Sequence, residues 1–164
     1  MSTTIGQLLG VDRLPFHLTR NRVTDAMDLT GKVAAVTGGG GPNLGQAICH
    51  RLAGLGATVA VIDQVEENAV RTAEAVRTRW GATAMPFHTD ITDADDVARA
   101  VPDIASRFGG IDIWVNNVGL SKMPGHTAHS FLDLSPGDID WFVDVNLKGA
   151  LYCTRAVLDV MLPR

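Results

Sequence analysis

The stretch VTGGGGPNLGQAI, residues 36–48, sets four consecutive glycines, Gly38 to Gly41, after a short apolar run and ahead of a helical pattern. Glycines have no side chains to pack, so the run is expected to bring backbone close to something else. A strand, a glycine-rich turn and a helix form the arrangement that binds phosphate. The helix N-terminus offers unpaired N–H groups and the positive end of its dipole. Asp63 stands eighteen residues beyond Gly45, at the end of a second apolar run. An acid about 20 residues past such a turn is placed to accept hydrogen bonds from a ribose. A phosphate on the ribose 2′ position would meet that carboxylate and be repelled, and neither the turn nor Gln64 supplies a compensating cation.

These residues need a scaffold, and the hydrophobic pattern provides one. Lys32 to Thr37 leads into the glycines, and Leu44, Ala47, Ile48, Leu52 and Leu55 follow at helical spacing. Thr58 to Ile62 is a continuous β-branched run, suited to a strand buried on both faces. Val65, Ala69, Ala73, Val76 and Trp80 form a helix stripe. A third strand, Ala82 to His88, contains Pro86, which belongs at a sheet edge because proline cannot donate to a ladder. Val97 to Phe108 is the next helix, with a kink expected at Pro102, and Ile111 to Val115 a fourth strand. Ser135-Pro136-Gly137-Asp138 reads as a capping box opening one helix that runs to about Met161. Alternating strands and helices joined by right-handed crossovers predict an α/β fold with a parallel sheet covered on both faces. Residues 1–28 form a separate, mildly basic N-terminal arm, and 29–164 one domain.

Composition narrows the function classes. A net charge of −4 argues against nucleic acid as a partner. No apolar stretch approaches membrane-spanning length, and the first residues lack the apolar core of a signal peptide. Cys49 and Cys153 lie far apart within apolar helical patterns and read as reduced, buried thiols, so the expected compartment is the cytoplasm. His126 and His129 form an H-x-x-H pair without a further ligand at metal spacing, and read as loop histidines. Asp93, Asp95 and Asp96 read as the acidic first turn of a helix.

Four segments carry a more specific pattern: VTGGGGPNLGQAI (36–48), HTDITD (88–93), FGGIDIWVNNVG (108–119) and VNLKGALYCTRAVL (145–158). In order and spacing they resemble the motifs of the short-chain dehydrogenase/reductase family, from about residue 28 to the last residue. The resemblance implies a Rossmann-type doubly wound sheet, strand order 3-2-1-4, and hydride transfer between a nicotinamide cofactor and a small-molecule alcohol or carbonyl substrate. With Asp63 in place, the cofactor expected is NAD rather than NADP. Gly38 and Gly45 match the first and last glycines of the family's cofactor turn, and Leu44 the apolar residue before the last. Asp63 matches its ribose-binding acid, and Asp90 with Ile91 the pair that contacts adenine. Asn116, Asn117 and Gly119 match NNAG, which steadies the sheet and lines the cofactor site, with Val118 replacing alanine. Asn146 matches the active-site asparagine that helps hold a water of the proton relay. The turn is one residue longer than the family pattern, and Asn43 stands where the middle glycine belongs. Asparagine is the next most tolerant residue for left-handed backbone, so Asn43 is expected to keep the turn and join the cofactor site.

The family's proton donor is a tyrosine tuned by a lysine four residues later, with a serine holding the substrate oxygen. All three follow the helix that carries Asn146. The single tyrosine here, Tyr152, is followed at that spacing by Ala156, Lys148 precedes it, and Ser121 and Lys122 match no catalytic position. The expectation is the cofactor-binding half of an oxidoreductase, a fragment inactive alone. Two alternatives stay open, a non-catalytic NAD-binding module and a truncated product that does not fold. A fragment would leave residues 111–115 as an open apolar edge. The last helix, from Trp141 and Phe142 through Leu151 to Leu158, would bare apolar surface for the missing part or for a homo-oligomer.

Overall fold

The structure, a computed structural model, describes residues 27–42, 44–120 and 130–163. Most of the expected arm, Asn43, Ser121, Lys122 and the His126/His129 pair lie outside the described residues. The elements run β1 (Val33–Thr37), α1 (Leu44–Gly54), β2 (Thr58–Asp63), α2 (Glu66–Trp80), β3 (Ala84–His88), α3 (Ala94–Phe108) and β4 (Ile113–Val115). A 3-10 turn (Phe131–Asp133), α4 (Pro136–Val143), a π-helical turn (Asp144–Lys148) and α5 (Gly149–Met161) follow. All strand pairs are parallel, and the sheet order is β3-β2-β1-β4, as the family resemblance implied.

The sheet has a core on each face because side chains alternate along its strands. Ala35, Ala60 and Ile62 meet Val97, Val101 and Ile104 of α3 and Cys153 and Val157 of α5. Val36, Val59 and Val61 meet Cys49 and Ala53 of α1 and Ala69, Ala73 and Val76 of α2. Strands buried on both faces read as unbroken apolar runs rather than alternating ones.

Pro86 sits at an edge, as expected, and the ladder shows why it is tolerated. Val59 N donates to Thr83 O at 2.9 Å and Thr89 N to Asp63 O at 3.1 Å, so the odd-numbered residues face β2. Pro86 therefore turns its missing N–H outward, where no ladder bond is lost.

Two local expectations need correction. β4 begins at Ile113 rather than Ile111. The Asp112 carboxylate takes the Val33 N–H at 2.9 Å, a bond a strand carbonyl would otherwise make. α3 begins at Ala94 with the expected acidic first turn, where Asp93 Oδ1 caps Asp95 N at 2.9 Å and Asp96 N at 3.2 Å. Pro102 lies within that helix. The expected single helix from Ser135 to Met161 is divided by the π turn, where Gly149 N bonds to Asp144 O five residues back. Gly149 is held against Ile91: a Cβ there would fall 2.6 Å from Ile91 Cδ1. The capping box forms as expected, with Ser135 Oγ accepting from Asp138 N at 3.2 Å and Asp138 Oδ2 accepting from Ser135 N at 2.7 Å.

Candidate functional site

At the carboxyl ends of β1, β2 and β4 the turn after β1 is fastened from three sides. Thr37, 1% exposed, accepts from Asn117 N at 3.1 Å and lies 3.3 Å from Val115 O through its hydroxyl. Asn117 Nδ2 donates to Thr37 O at 2.9 Å and Gly38 O at 3.3 Å. From the β2 side, Gly39 N donates to Ile62 O and Gly40 N to Asp63 Oδ2, at 2.9 and 3.0 Å. From α2, Thr72 Oγ1 donates to Gly40 O at 3.3 Å, with Arg71 Nη2 at 3.5 Å.

The four glycines thus differ from the expectation that packing plays no part in them. Gly38 takes the left-handed conformation, with φ +62°. A Cβ on Gly39 would fall 3.0 Å from Cys49 Sγ, and one on Gly40 2.6 Å from Ala69 N, so both are small because the protein packs on itself. Gly45 is tighter still. Its Cβ would strike Gly38 O and come 2.7 Å from Asn117 Nδ2. Only Gly41 has nothing within 4 Å, and it faces the open lobe.

That lobe, about 310 Å³, lies over the start of α1 and is bordered by Gly38, Gly41, Leu44, Gly45, Asn117 and Gly119. It joins a larger one of about 500 Å³ through shared walls at Gly38, Asp63, Val118 and Leu120. The larger lobe extends past Gln64, Asp90, Ile91 and Thr92 to Trp141 and Val145. Asp63 stands where the lobes meet, with Oδ1 accepting from Val65 N at 3.0 Å. Two backbone N–H bonds leave its carboxylate lone pairs to spare. The Asp90 carboxylate is more fully engaged, by Gln64 Nε2 and Thr92 Oγ1, both at 2.7 Å, and Thr92 N at 2.9 Å.

Asn146 stands on the π turn and bridges to the segment after Gly119. Its Oδ1 accepts from Leu120 N at 2.8 Å, and its Nδ2 donates to Leu120 O and Phe142 O, each at 3.0 Å. The side chain therefore positions backbone. Asn116 faces away from the turn, linking Trp114 Nε1 to Thr154 Oγ1 of α5 at 2.9 Å each.

The expected cofactor-site residues other than Asn43 thus gather at one cleft: Gly38, Leu44, Gly45, Asp63, Asn117 and Gly119 around the smaller lobe, Asp90 and Ile91 in the larger. Tyr152 lies elsewhere, in a groove of about 390 Å³ between α3 and α5. Lys148 pairs with Asp144 at 2.6 Å, and that carboxylate holds its ammonium above the ordinary lysine range. Burial pushes the Cys49 thiol up to about 12 and the Cys153 thiol to about 11, so both are inert near neutrality. Among the described residues, no cluster of three or more His, Cys, Asp or Glu could hold a metal, and no helix is long and apolar enough to cross a membrane.

Sequence reasoning missed Thr37, Thr72, Arg71 and Trp141. The first was readable, since a threonine closing a strand before glycines has a hydroxyl to place. The others reach the site from α2 and α4, and only the packing of those helices brings them there.

Residues 32–164 match the family model described as short chain dehydrogenase. The chain belongs to the short-chain dehydrogenase family. It is 33% identical to the NADP-dependent mannitol dehydrogenase of Hypocrea jecorina over 85% of this chain and 51% of that enzyme. Among solved structures of the family, an NAD+-bound xylitol dehydrogenase superposes with a TM-score of 0.75 at 32% identity, covering 82% of this chain and 50% of that one. A short chain dehydrogenase of Burkholderia cenocepacia in complex with NADP gives 0.72 at 35% identity, covering 82% of this chain and 52% of that one. The short-chain dehydrogenase chain described here spans about half the length of the curated relatives it matches.

Proposed function

We propose that this chain is the NAD-binding half of an oxidoreductase that interconverts a small-molecule alcohol and its carbonyl compound. The observation that carries the reading is the continuous cleft from the start of α1, past Asp63, to Asp90 and Ile91. A dinucleotide has the same succession of pyrophosphate, ribose and base. The free amides at the start of α1, with Gly41, Asn43 and Gly45 around them, hold the pyrophosphate. Asp63 holds the adenosine ribose, while Asp90 and Ile91 border the base. Asn117 and Gly119 shape the wall, and Asn146 positions the segment that follows Gly119. When bound, the nicotinamide supplies the hydride acceptor or donor. Residues 29–164 form the working unit, residues 1–28 are an arm, and the two inert thiols suit the cytoplasm.

Mannitol dehydrogenase from the same family uses NADP, as its name states. Asp63 favours NAD here because a 2′-phosphate would sit against its carboxylate. Arg71 is the nearby cation, but it bonds Asn68 Oδ1 at 2.7 Å on the α2 side of the turn. Fluorescence titration of the chain with NADH and NADPH tests this. NADH should bind at least about tenfold more tightly, and Asp63→Asn should narrow the gap by weakening NADH and relieving NADPH. Equal affinities, or tighter NADPH, would overturn the preference. Among the described residues no tyrosine or lysine lines the cleft, so the same protein should bind NAD and turn over no alcohol.

A further inference from the structure

The three tryptophans of this chain are not equivalent. Trp80 Nε1 donates to His50 Nδ1 at 3.1 Å, and Trp114 Nε1 donates to Asn116 Oδ1 at 2.9 Å. Trp141 is half-buried on α4 and lines the larger lobe, yet among the described residues its indole N–H has no protein acceptor. That leaves the indole donor available to a ligand in the lobe. The ring is seated by Phe142, whose ring packs edge-on with centroids 5.2 Å apart and planes at 74°.

The lobe's own layout says what Trp141 faces. Its lining combines polar residues, Asp63, Gln64, Thr89, Asp90 and Thr92, with apolar ones, Ile91, Val118, Leu120, Trp141 and Val145. The Asp90 carboxylate already accepts three hydrogen bonds. A flat heteroaromatic ring fits such a space. Its faces suit the apolar part of the lining, and its ring nitrogens need a donor that Asp90 cannot be.

We propose that Trp141 is a base-binding residue, standing edge-on to the purine of the bound nucleotide and donating its indole N–H to a purine ring nitrogen. This rests on the dinucleotide reading above. It adds a residue from α4, beyond the strand ends and the glycine turn, that selects the purine end of the ligand.

The test titrates the full 164-residue chain with ADP, which carries the purine, and with nicotinamide mononucleotide, which does not. Trp141→Phe keeps a ring and removes the donor, so ADP binding should weaken by about fivefold. Trp141→Leu removes both and should weaken it by about tenfold or more, with nicotinamide mononucleotide unchanged for both variants. In the 15N-labelled wild-type chain, ADP should shift the Trp141 indole N–H resonance more than those of Trp80 and Trp114, a reading that needs no folded variant. Tight ADP binding by the wild type with unchanged affinity in the variants, or an unmoved Trp141 resonance, would overturn the assignment and leave the cofactor reading standing. Wild-type protein that binds no ADP would overturn both.

Discussion

The two walls of the cleft are built by different means. The wall from β1, α1 and β2 is backbone against backbone: β1 is buried at every position, and Gly39, Gly40 and Gly45 sit where a Cβ would meet neighbouring atoms. The wall from β4 and α4 is looser. Residues 113–115 are half-buried, and Leu120, 42% exposed, is held by the exposed Asn146 amide. The β1–β2 wall leaves its tolerance nowhere but Gly41, whereas the β4 wall depends on side-chain hydrogen bonds that can be removed singly. A phosphate needs backbone amides at fixed positions, so the rigid wall suits it.

The contrast can be broken most severely at Gly45. Gly45→Ala forces α1 off the turn, and should destabilise the chain by about 3 kcal/mol or more in urea unfolding, while Gly41→Ala should stay within about 0.5 kcal/mol. Similar effects at both positions would mean the turn is not packed as described. Thr37→Val comes next: it removes the acceptor of the part-buried Asn117 N–H and should cost about 1 kcal/mol by the same measurement. Asn146→Leu acts on the looser wall. Its cost should be about 1 kcal/mol, and amide exchange should speed up at Leu120 but not at Gly39 or Gly40. Faster exchange throughout the turn would show that the walls are coupled.

A pH dependence is spread over both faces of the sheet, with a small effect from each thiol. Each thiol ionises near 9.0 when unfolded but near 12 for Cys49 and 11 for Cys153 when folded, because burial disfavours the thiolate. The folded state then holds more protons, so the stabilisation is complete below pH 9 and declines as pH rises toward the folded values. At pH 10 each thiol should have cost about 1 kcal/mol relative to pH 8, and Cys49→Ala with Cys153→Ala should flatten that slope. A slope unchanged in the double variant would assign it to other groups.

The order of strands and helices was legible because each element carries its own period: the β-branched run of β2, the stripe of α2, the capping box at Ser135. Pro86 marked an edge because its chemistry permits little else. The π turn was not legible, since inserting one residue into a helix changes which carbonyl an amide meets without changing residue types. The late start of β4 was hidden too. It depends on the Asp112 carboxylate reaching a neighbouring strand 79 positions away.

Sequence alone determined the glycine turn, the acid at the end of β2 and the family motifs, because residue types and spacing carry them. Tertiary structure decided which glycines are held by packing, and that the Asn146 amide is held by Leu120 and Phe142. It also decided that Trp141 joins the cleft while Tyr152 does not. Those outcomes depend on how α2, α4 and α5 settle on a twisted sheet, and helix docking is set by the summed contacts of many side chains rather than by the spacing of a few.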